Sequence, residues 1–269
     1  MSWAQTGFDA MDEAEAESSK GYGPRDFWVP SGKTKRIVFL DDTGFMFWEH
    51  GLYGLTKQVS DREICLVKNK IADSCPLCDA GDHPSGKELR LYPSFVGIFT
   101  VIDCGDVLRN PTTKKVSLEG FKSKKGKVYQ FDKKVLRAKK GSNEKPGMLP
   151  FIRRKKEQRG GSLLGTVWDT FRAGDKTDSI GNEWEYVTKI DVSTPEALRE
   201  GLMGLEGSPL TSSGDPLIAE LNNLPLEYEK LFVPKTPAQL QRYFSKMGGG
   251  TGDGTGDLGG QGPEEDVPF

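Results

Sequence analysis

Hydrophobic positions along this chain fall in short runs with the alternation of strands, and turn residues separate them. Residues 35–40 (KRIVFL) read as a strand that closes at the turn residues Asp41 to Gly44, and 45–50 (FMFWEH) as its hairpin partner. Residues 95–103 (FVGIFTVID) are the clearest strand, rich in β-branched and aromatic side chains. Further strands are expected at 128–131, 133–138, 163–171 and 184–192, with Gly174, Asp175 and Gly181 forming a hairpin loop between the last two. The basic, Gly-containing run 139–161 reads as a loop. Short helices are expected at 196–205, opened by Pro195, at 216–224, and at 237–247, opened by Pro237. Ordered structure is expected to begin near Tyr22, Phe27 and Trp28. Five or more short strands with few helices predict a mainly β chain with a barrel or sandwich core.

The two ends differ from this middle. Residues 1–20 read as a flexible acidic arm, with five acids and no base among residues 1–19. Residues 248–263 are almost wholly Gly, Thr and Asp, and such a segment cannot bury enough apolar surface to stay ordered. The expected organisation is an arm over 1–20, a core over 21–232, a short helix or linker over 233–247, and a disordered acidic tail over 248–269.

The net charge of −2 conceals strong segregation. Residues 109–159 hold 18 Lys and Arg against four acids, whereas residues 248–269 hold five acids and no base. Local fields therefore matter more than the sum, and the basic run points to a polyanionic partner. No stretch of about 18 apolar residues exists to span a membrane. The N-terminal residues lack a basic segment followed by an apolar run, so a secretory leader is not expected and a reducing cytoplasm is.

In that compartment clustered cysteines suggest metal. His50, Cys65, Cys75 and Cys78 are spaced His-x14-Cys-x9-Cys-x2-Cys. Two residues between Cys75 and Cys78 let both sulfurs face one ion, with Pro76 in the turn. Three thiolates and one imidazole make a closed tetrahedral Zn²⁺ site, structural rather than catalytic, within a small zinc subdomain at about 50–86. His83 is the alternative fourth ligand, and Cys104 reads as a buried small hydrophobe.

A single nucleic-acid strand needs a positive groove for its backbone and flat faces for its bases. The sequence interleaves both. The candidate aromatics are Phe45, Phe47, Trp48, Tyr92, Phe95, Phe99, Phe121, Tyr129 and Phe131. The candidate cations are Lys33, Lys35, Arg36, Lys122, Lys124, Lys125, Lys127, Arg153 and Arg154. Alternation along 45–50 puts Phe45 and Phe47 on one face and Trp48 and His50 on the other, and leaves open which is core. The acidic segment Glu264, Glu265, Asp266, Val267, Pro268 and Phe269 reads as a partner-binding hook on a Gly-rich tether. It is also expected to compete with DNA for the basic groove.

The cysteine spacing with His50 upstream resembles the zinc site of T-even-type phage single-stranded DNA-binding proteins. The EEDVPF segment is similar to the acidic, Phe-ended tails of bacterial and other phage single-stranded DNA-binding proteins. The resemblance implies an OB-fold core with an inserted zinc subdomain. It also implies coating of single-stranded DNA in phage replication, recombination and repair, recruitment of polymerase, helicase, primase or nuclease through the tail, and self-association on DNA. The acidic N-terminal arm departs from the T-even type, whose arm is basic. A zinc-containing RNA-binding or transcription-related phage protein is the alternative. A nuclease would need clustered carboxylates, but Asp41, Asp42, Asp103 and Asp106 read as strand-end turn residues, so no enzyme is expected.

Overall fold

A computed structural model describes residues 26–245, apart from 57, 59–60, 83–90, 123–125, 127 and 143–144. The arm, the tail with 264–269, Tyr22, His83, Lys124, Lys125 and Lys127 lie outside the described residues. The chain is mainly β. Strands β1 (Thr34–Phe39), β2 (Phe45–Gly51), β3 (Arg62–Ile64), β4 (Pro93–Arg109), β5 (Val116–Glu119), β8 (Asp132–Lys139), β9 (Thr166–Phe171) and β10 (Glu183–Lys189) form one antiparallel sheet. A two-stranded ribbon pairs β6 (Phe121–Lys122) with β7 (Val128–Tyr129).

The 17-residue β4 organises this sheet. One of its edges carries β2 against residues 93–98 and then β1 against 101–106. Its other edge carries β8 against 96–103 and then β5 against 106–109. On this second edge the change of partners falls at Gly105, whose φ of +98° only glycine adopts freely. A Cβ there would meet the Glu119 carbonyl oxygen at 2.3 Å. The β1–β4 register slips beside it, between Arg36 and Ile37, so the strand bends where glycine and bulge coincide.

Two expectations change here. Strand β2 is not a hairpin partner of β1, because both pair with β4. No ladder among the described residues closes the sheet into a barrel, the outer strands of its path being β10 and β3. The β9–β10 hairpin forms as expected.

Both sheet faces are covered. Ile37, Phe39, Phe99, Val101, Leu136 and Trp168 pack with Met148 and Ile152 of helix α3 (Met148–Gln158). The opposite face buries Val38, Ile102, Cys104 and Val167 against Leu198 and Leu202 of α4 (Pro195–Met203). Helix α4 has the expected start, with Pro195 in its first turn and the Thr194 hydroxyl accepting from the Ala197 N–H. Residues 216–224 form turns rather than a helix, and α3 rises from the run expected to be a loop. The remaining helices are α1 (Tyr53–Thr56), α2 (Pro76–Asp82), α5 (Tyr228–Leu231) and α6 (Pro237–Ser245). None of the described helices is long and apolar enough to cross a membrane.

Candidate metal centre and nucleic-acid interface

His50 sits near the end of β2, Cys65 just after β3, Cys75 just before α2, and Cys78 in its first turn. The pairing of Glu49 with Ile64 aligns β2 with β3, which brings His50 and Cys65 together. Donor atoms of the four residues all lie within 4.8 Å of one another. The Cys65 and Cys78 sulfurs are 3.4 Å apart, and His50 Nε2 lies 3.6 Å from Cys75 Sγ and 3.5 Å from Cys78 Sγ. Tetrahedral bonds of about 2.3 Å to sulfur and 2.0–2.1 Å to nitrogen place S···S at about 3.8 Å and S···N at about 3.6 Å. The donor set could therefore hold a metal ion, and its chemistry and spacing are consistent with zinc.

The surroundings orient the ligands. His50 Nδ1 bonds the Leu91 carbonyl oxygen, which makes Nδ1 the protonated nitrogen and turns the Nε2 lone pair toward the sulfurs. Burial lowers the His50 pKa against that bond and favours the neutral, ligating form. Burial pushes the Cys65 and Cys78 thiols up, so their ionisation needs a cation among them. Asn69 braces the loop: its Oδ1 accepts from the Trp48 N–H, and its Nδ2 donates to the Trp48 and Cys65 carbonyls. Leu52, Leu66, Leu77 and Leu91 form a small core around the sulfurs, completed by Leu240 of α6.

The candidate strand-binding residues divide sharply. Lys35 is buried and donates to Asp103 Oδ2 at 2.8 Å, an oxygen that Lys134 shares at 2.5 Å. Burial pushes the Asp103 carboxyl up, but Lys35 and Lys134 outweigh it and hold it below the ordinary carboxylate range. Arg36 is buried and grips Asp169 with two bonds of 2.6 and 2.9 Å. These two basic residues are internal counter-ions, which corrects their assignment to a DNA surface. Phe47, Phe99, Tyr129 and Phe131 are buried as well, so their rings offer no open face to a base. Phe45 is half-buried under Tyr228, stacked at 5.6 Å, and Phe232 at 6.3 Å.

Accessible candidates gather in two places. Trp28, 45% exposed, meets Phe121 edge-on at 6.1 Å, and Lys33 and Lys122 are exposed. The second place lies beside the metal centre. Half-buried Trp48 and Phe95 meet edge-on at 5.3 Å across β2 and β4, and Lys68 Nζ lies 5.7 Å from the Trp48 ring. Exposed Tyr92 lies one residue before β4, and exposed Arg153 and Arg154 project from α3.

Sequence reasoning did not select Trp28, Met46, Lys68 or Lys140. The alternation in 45–50 separated the faces correctly. What decides between them is the aromatic cover of Tyr228 and Phe232, some 180 residues away, which no local pattern announces. Comparison with known proteins finds no matching family model, curated protein or solved structure.

Proposed function

We propose that this is a non-catalytic, zinc-stabilised protein that binds single-stranded DNA. The observation that carries the reading is the juxtaposition of half-exposed Trp48 and Phe95, with Lys68 beside the Trp48 ring and Arg153 lining the same cleft as Phe95. Rings of this kind stack on bases of any sequence, each stack contributing about 1–3 kcal/mol, and the cations meet phosphates. Trp28 and Phe121, with Lys33 and Lys122, offer a second contact of the same chemistry.

In this reading the bent β4 is the shared strand of an OB-type core, and zinc is the ion between His50, Cys65, Cys75 and Cys78. The ion's role is structural, since four protein ligands leave no open position for water. Asp103 is engaged by two lysines and buried Asp41 by Tyr228, which fits a binding rather than a hydrolytic role. The acidic residues 264–269 would serve as the site for replication and repair enzymes, in the cytoplasm of a phage-infected cell.

Anisotropy titrations with labelled oligo-dT, RNA and duplex DNA of equal length test the proposal. Tightest binding to oligo-dT is expected. Preference for RNA would favour a zinc-containing RNA-binding protein, and loss of labelled DNA on incubation with Mg²⁺ would favour a nuclease.

A further inference from the structure

Beside the Trp48–Phe95 pair, a cleft of about 480 Å³ opens between the sheet and α3. Its floor is apolar: Met46, Phe95, Phe99, Leu149, Ile152 and Leu163. Gly97 shapes that floor, because a Cβ there would strike Leu149 Cδ1 at 2.6 Å and Met46 Sδ at 2.8 Å. Lys140, Arg153 and Lys156 stand around it with Asp42 and Thr43. Lys156 Nζ sits 3.2 Å from the Asp42 carboxylate, so a hydrogen-bond acceptor and a donor lie side by side. Burial pushes the Asp42 carboxyl up, but the Leu163 N–H and Lys156 outweigh it and hold it below the ordinary range, which keeps it an acceptor.

The geometry points to a pocket for one everted base of the bound single strand. An apolar cavity of about 150 Å³ already accepts a benzene-sized ring. This cleft is about three times as large, enough for a base and its sugar. Its apolar floor suits the faces of a flat ring. The Asp42–Lys156 pair suits a base edge, which carries donors and acceptors in alternation. Arg153, 81% exposed, and Lys140 are placed for the adjoining phosphates. The inference rests on the single-strand reading and sharpens it: one nucleotide is anchored in the cleft, while its neighbours stack loosely on Trp48 and Phe95.

Oligo-dT of the shortest length that still binds, carrying one abasic nucleotide moved position by position, tests this. Short length prevents the strand from sliding to hide the gap. One position should lose about tenfold in affinity, with much smaller losses elsewhere. Leu149→Trp, which fills the cleft, should erase that positional peak while unsubstituted oligo-dT still binds. Arg153→Glu, on an exposed position that leaves the fold intact, should weaken binding and keep the peak. Equal losses at all positions would overturn the pocket, as would a peak that survives Leu149→Trp in a folded variant. Failure of wild type to bind intact oligo-dT would instead remove the single-strand reading, and the pocket with it.

Discussion

Titrating zinc into the metal-stripped protein at pH 7 should release about three protons per ion bound. Sulfur ligates as thiolate and an ordinary thiol carries its proton at pH 7, so each ligating cysteine sheds one on binding. Burial pushes Cys65 and Cys78 higher still, which secures two of the three. His50 adds none, because burial favours its neutral form and its Nδ1 proton stays on the bond to Leu91. Apparent affinity should therefore weaken as pH falls, by about three decades per unit near neutrality. Calorimetric titrations in two buffers of different ionisation heat give the proton count directly. Cys75→Ser should lower it to about two and weaken binding, while His83→Ala should change neither. A count near zero, or no stoichiometric zinc uptake, would refute the four-ligand centre. A loss of uptake in His83→Ala would move the fourth ligand away from His50.

The buried Arg36–Asp169 pair gives a second prediction. Among the described residues, Arg36→Ala leaves the buried Asp169 carboxylate with Arg109 as its remaining cation, at 3.5 Å, and should cost about 3–5 kcal/mol. For a chain of this size that is about 6–20 °C in Tm, and calorimetry should show most of it recovered in Arg36→Met with Asp169→Leu. Gly105→Ala should destabilise by more than 1 kcal/mol in urea titrations, given its positive φ and the 2.3 Å approach to Glu119. Asp41 tests pH linkage. Burial raises its pKa, so its contribution to stability is full below the unfolded value of about 3.9 and is lost as pH rises through the folded one. The stability of Asp41→Asn relative to wild type should therefore increase from pH 4 to pH 7, and a constant difference would contradict that sign. Replacing Trp48 by Ala should weaken oligo-dT binding by about 1–3 kcal/mol.

The parts legible in the sequence were those with a local signature. The strands at 35–40, 95–103 and 133–138 announced themselves by β-branched and aromatic runs, and the four residues that could hold a metal ion by the Cys75–Cys78 spacing and His50 upstream. Long-range effects escaped. Lys35 and Arg36 look like surface cations in sequence, and only the pairing of β1 with β4 and β9 brings them to Asp103 and Asp169. The 45–50 strand looks like a hairpin partner of 35–40 because four turn residues separate them. Yet β4 is long enough to take both on one edge. Helix α3 was hidden because Met148 and Ile152 are its only buried residues among many lysines and arginines.

Salt dependence tests the central claim most directly. Oligo-dT affinity, followed by tryptophan quenching at several salt concentrations, should give a straight line in log K against log salt. Lys68, Lys140 and Arg153 would contribute about 0.7 each to its slope, near −2 in all, and Lys140→Ala should remove one such increment. A flat line, or an unchanged slope in Lys140→Ala, would contradict a cationic strand-binding surface at this place on the fold.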